Sequence, residues 1–99
     1  MNGTTATVRV CVELFGTPRI HAGATAVELA VPHPASRGKL VAALAEQCPT
    51  LLGHGLKEDI TDLEDGYVFN LNGLAFLGDG DFTLADGDSL LLISSQSGG

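Results

Sequence analysis

Basic residues are scarce in this 99-residue chain: five Lys and Arg stand against twelve Asp and Glu, a formal net charge of −7. Such a surface repels a phosphate backbone and argues against nucleic acid as a partner. It suits a basic protein partner, or it simply keeps the chain in solution. Long apolar runs are missing as well, and none nears the roughly 20 residues of a spanning helix. Residues Met1 to Thr7 lack both the basic and the apolar stretch of a secretion leader. Cysteine is limited to Cys11 and Cys48. Two thiols make no disulfide framework, and both are expected as small buried hydrophobes. A reducing, cytoplasmic setting fits.

Signatures of catalysis and metal binding are absent too. His21, His33 and His54 have no ligand spacing, so no metal site is expected. Asp79, Asp81, Asp86 and Asp88 look like calcium ligands, but a loop starting at Asp79 puts Leu84 where glycine is needed and Leu90 where glutamate is needed. Asp-Gly pairs of this kind make turns. No nucleophile elbow, phosphate loop or dinucleotide glycine pattern occurs, and no catalytic residue is assigned.

What is present reads as one small α+β domain spanning residues 1–99, with an ordered core from about 7 to 94. Val8, Val10, Val12 and Leu14 alternate as in a strand, and Gly16-Thr17-Pro18 breaks it. A second alternating strand carries Val27, Leu29 and Val31, which suggests a long hairpin. Ser36 is a candidate N-cap for the one clear helix, whose stripe is Leu40, Val41, Leu44, Ala45 and Cys48 before Pro49. Arg37 puts positive charge at the less favourable helix end. Residues 49–66 read as a mobile connection with one short helical turn. Tyr67 to Leu71 is a strand, Asn72-Gly73 a tight turn, and Leu74 to Leu77 a short partner. Leu90 to Ile93 is apolar without interruption, as in a strand at the middle of a sheet. The order is β-β-α-β-β-β. A flexible tail, residues 95–99, follows, ending in Gly98-Gly99. Glycines without Cβ atoms can pass a narrow channel, although a frayed terminus rich in glycine is common by chance.

Taken in this order, the chain resembles the ThiS/MoaD family of ubiquitin-like sulfur carriers. The resemblance runs from Thr7 to Gly99 and rests on Phe69-Asn70-Leu71-Asn72-Gly73, on Leu84-Ala85-Asp86-Gly87-Asp88-Ser89-Leu90 and on Gly98-Gly99. It implies a β-grasp fold, a mixed sheet of four to five strands packed on one main helix. It also implies a carrier, not an enzyme. The Gly99 carboxylate would be adenylated by a ubiquitin-activating-type enzyme using ATP and magnesium, then converted to a thiocarboxylate. A synthase would deliver that sulfur to an acceptor, and a sulfur donor protein could supply it. No cofactor would sit on the chain itself. Gly98, Ser97, Gln96 and Ser95 would thread the partner's channel. Phe69, Leu71, Leu74 and Phe76 are candidates for an apolar docking patch, with plain core as the competing reading of each.

The polar stretch Ser94-Ser95-Gln96-Ser97 differs from the apolar or proline-containing residues found before the diglycine in molybdopterin-synthase small subunits. Cysteine or a sulfur-containing specialised metabolite is therefore the expected destination of the sulfur. The alternatives are a molybdopterin-synthase small subunit, a ubiquitin-like modifier conjugated through Gly99, and an interaction module with an idle tail.

Overall fold

A computed structural model describes residues 7–33, 35–77 and 81–94. Strands β1 (Thr7–Leu14), β2 (Ala26–Pro32), β4 (Tyr67–Leu71), β5 (Ala75–Leu77) and β7 (Asp88–Ser94) form a mixed five-stranded sheet in the order β2-β1-β7-β4-β5. Within this sheet β1 and β7 run parallel, and the described pairs β1–β2, β4–β7 and β4–β5 are antiparallel. The apolar run Leu90 to Ile93 thus lies in the central strand, as its composition predicts. Two-residue strands β3 (Ala35–Ser36) and β6 (Asp81–Phe82) pair with each other and add to the expected order.

Helix α2 (Arg37–Gln47) starts where its sequence says it should. Ser36 is extended, and its Oγ accepts the Lys39 N–H at 3.2 Å, satisfying one of the donors a helix start leaves open. Leu40, Val41, Leu44 and Ala45 are buried against one side of the sheet. Facing them are Val10, Val12 and Leu14 of β1, Leu29 and Val31 of β2, Phe69 of β4, and Leu90 and Leu92 of β7. Arg37, poorly placed for the helix dipole, gains a reason here. Its Nε and Nη2 donate to the two carboxylate oxygens of Asp62, each at 2.9 Å, which brings negative charge to that end.

Two expectations are corrected. The β1–β2 connection is not a plain hairpin loop: it holds helix α1 (Thr17–Ala22), with Pro18 in its first turn and Gly23 as a left-handed cap at φ 68°. A proline that cannot donate inside a helix suits a helix start, where no acceptor is available for its N–H. Residues 49–66 are not a loose connection either. A 3-10 turn (Pro49–Leu51) leads into bridges Leu52–Leu56 and Leu56–Leu63, and Leu51, Leu56 and Leu63 are buried. Gly55 N–H donates to Glu64 Oε1 at 3.0 Å and Glu64 N–H returns to Gly55 O at 2.9 Å. Among the described residues, no helix is long and apolar enough to cross a membrane.

Candidate functional site: the open sheet face and the exit of β7

The two ends of β7 are built for different purposes. At its start, the motif residues are structural. Asn72 and Gly73 both take positive φ, 55° and 73°, as a tight I′ hairpin turn requires. The Asn72 side-chain oxygen accepts Ser89 N–H at 2.8 Å, and its own backbone N–H donates to Ser89 O at 2.7 Å. Asp86 accepts Arg9 N–H at 2.8 Å, and Asp88 accepts Ala85 N–H at 2.8 Å. Gly87, at φ 90°, donates to Arg9 O at 2.8 Å. These side chains bind the starts of β7 and β1 and the β4–β5 turn into one end of the sheet.

At its other end β7 runs to Ser94, which pairs with Tyr67 of β4. Gly98, Gly99 and Ser95, Gln96 and Ser97 lie outside the described residues, so the structure gives the point from which they depart. That point is on the strand at the middle of the sheet.

The sheet's second side carries no element among the described residues. Strand alternation sends Leu90 and Leu92 into the core and Leu91 and Ile93 out, where both are half-buried. Register places Ile93 opposite Val68, and Leu91 between Glu13 and Asn70, with Asn70 opposite Phe76. Phe76 is 67% exposed and Leu74, at the hairpin turn, 87%. Phe15, just past the end of β1, is 43% exposed. An apolar face therefore extends across β7, β4 and β5, bordered on β1 by the exposed Glu13, and reaches the exit of β7.

This corrects half of the expected docking patch. Phe69 is fully buried, because its side chain faces Leu92 and the helix side of the sheet. Leu71 packs partly into the same core. Leu74 and Phe76 stay on the surface. Sequence reasoning missed Val68, Leu91 and Ile93. The signal was there: once Phe69 is placed inside, a period of two puts Val68 and Asn70 outside.

Of the cysteines, Cys11 and Cys48 are both free and half-buried, and burial pushes the Cys48 thiol up. His21 and His54, remote in sequence, stack with ring centroids 3.5 Å apart and joint planes within 8°. No group of three or more metal-ligating side chains occurs among the described residues.

No protein-family model and no curated protein sequence matches the chain. Solved structures do. Small archaeal modifier protein 1 from Haloferax volcanii is 30% identical, with a TM-score of 0.75, covering 92% of this chain and 99% of that one. A Pyrococcus furiosus protein assigned as molybdopterin converting factor, subunit 1, is 25% identical at a TM-score of 0.60, covering 88% and 97%. The chain belongs to the ThiS/MoaD-type ubiquitin-like β-grasp family. The Methanosarcina acetivorans small archaeal modifier protein 1, 21% identical with a TM-score of 0.72 over 95% of this chain and 99% of that one, shares the fold. Members of this ThiS/MoaD-type family are small carriers and modifiers rather than catalysts.

Proposed function

We propose that this chain is a sulfur carrier whose Gly99 carboxylate is the working group. The observation that carries the reading is the course of β7: the central strand, flanked by an open apolar face, runs out at Ser94 toward the diglycine. An activating enzyme docks on that face and receives the tail. A Gly99 carboxylate oxygen attacks the α-phosphorus of ATP, with magnesium on the phosphates, and pyrophosphate leaves. A sulfide-level sulfur then attacks the carbonyl carbon of the acyl-adenylate. The bond to AMP breaks, AMP departs with the oxygen, and a thiocarboxylate remains. A synthase uses this sulfur as the nucleophile toward an electrophilic acceptor on the way to cysteine or a sulfur-containing specialised metabolite, in the cytoplasm. Water then restores the carboxylate. The chain supplies recognition, reach and one reactive atom, and binds no cofactor of its own.

A second reading, attachment through Gly99 to protein amines, draws support from the likeness to a small archaeal modifier protein. Both use the acyl-adenylate and part only at the nucleophile. The Pyrococcus furiosus likeness supports the third destination, a molybdopterin-synthase subunit. Intact-protein mass spectrometry separates sulfur loading, which the first and third readings share, from attachment to amines. The chain is incubated with a ubiquitin-activating-type enzyme, ATP, magnesium and sulfide, beside a variant lacking Gly99. The expected result is a mass gain equal to one oxygen replaced by sulfur, lost in the variant. Isopeptide-linked adducts without that gain would favour the modifier. With the cognate activating enzyme, an unchanged mass would overturn both.

A further inference from the structure

Asn70 is out of keeping with its surroundings. It lies on the outer side of β4, in the cross-strand row Glu13, Leu91, Asn70, Phe76, at the middle of the apolar face. The residue is more than nine-tenths buried, and its Oδ1 is buried with no hydrogen-bond partner among the described residues. Amide oxygens in such places are ordinarily paired, since an orphan acceptor forfeits its bonds to water. An apolar residue would fit this row with no such cost. The neighbouring Asn72, by contrast, uses its side chain fully in the turn.

We infer that Asn70 Oδ1 is the acceptor for a basic N–H donor carried by the activating enzyme, at the centre of the docking face. This rests on the reading of the open face given above. The occupant follows from where the face lies. It borders the exit of β7, so whatever covers it is within reach of residues 95–99, and the enzyme that works on Gly99 needs that placement. A basic donor follows from charge: the chain carries −7, and the exposed Glu13 stands in the same row. Docking removes water from the row, which strengthens a charge-assisted bond to the amide oxygen. The bond requires Oδ1 to become accessible on docking, by rotation about the last side-chain torsion of Asn70. Apolar contacts then hold the partner, and Asn70 rejects apolar surfaces that bring no donor.

The test uses the full chain and the adenylating enzyme that loads it, with ATP–pyrophosphate exchange as the readout. Asn70→Leu is expected to melt at the same temperature as the wild type or higher, because the orphan acceptor is gone. Its KM in the exchange assay should rise roughly tenfold with kcat little changed, the mark of lost docking rather than lost chemistry. Leu91→Asp serves as the control for the face. If Leu91→Asp raises KM and Asn70→Leu does not, the inference fails while the docking reading stands. If neither raises KM, the face is not the docking site and both fail. If Asn70→Leu lowers the melting temperature, Asn70 has a structural role instead. The side-chain amide signals of Asn70 in 1H–15N spectra should also shift on titration with the enzyme, and unchanged signals would overturn the proposal.

Discussion

Phe69 and Phe76 sit on adjacent strands of one hairpin, yet one is wholly inside and the other 67% exposed. Phe69 fills the core between Leu92 and the helix side, and its loss leaves a cavity that rigid strands cannot close. Phe69→Ala should therefore cost about 3–5 kcal/mol in chemical denaturation. Phe76→Ala should change stability by less than about 0.5 kcal/mol, while raising the KM of loading, because it removes exposed docking area only. A large stability loss for Phe76→Ala would place it in the core and shrink the proposed face. The same reasoning explains why the sequence alone left Phe69 open between patch and core. In Tyr67 to Leu71 apolar residues occupy both parities, so composition does not say which side faces the helix. Register against Leu90 and Leu92 decides it.

Among the elements, those with a strong local signal were legible in the sequence. The Ser36 cap, the α2 stripe, the Asn72-Gly73 turn and the central position of β7 all follow from local chemistry that the packing agrees with. Helix α1 and the 49–66 segment were not. Six residues are too few for a helical period to show, and Pro18 reads as a breaker unless Gly23 is recognised as the stop. The 49–66 segment owes its order to long-range partners: the Arg37–Asp62 ion pair and the approach of Gly55 to Pro18. That approach is tight. Gly55 has φ 117°, and a Cβ there would meet Pro18 Cγ at 3.1 Å. Gly55→Ala should thus destabilise the protein by about 1–3 kcal/mol through backbone strain and crowding, read as a lowered thermal midpoint. Gly73→Ala, strained but with open space around it, should cost less. Equal losses would mean that the Pro18 contact contributes nothing.

For the whole molecule, the proposed function requires a docking face and the Gly99 carboxylate to be held at a set separation. Among the described residues no core residue follows Leu92, and changes beyond Ser94 are expected to leave the thermal midpoint where it is. Residues 95–99 reach about 17 Å when extended, at 3.3–3.6 Å per residue. Deleting Gln96 and Ser97 while keeping Gly98-Gly99 shortens that reach by about 7 Å. Docking is untouched, so KM should stay near its wild-type value. The Gly99 carboxylate would stop short of the α-phosphorus, and misplacement by even about 1 Å can cost on the order of a hundredfold. The expected result is a loss of at least about a hundredfold in kcat for pyrophosphate exchange, with an unchanged melt. Replacing the same two residues by Ala-Ala keeps the length and should keep the rate. If the shortened chain loads normally, the distance from the exit of β7 to the reacting atom does not govern the reaction. If the Ala-Ala chain fails as well, side-chain recognition of Gln96 and Ser97 replaces reach as the explanation.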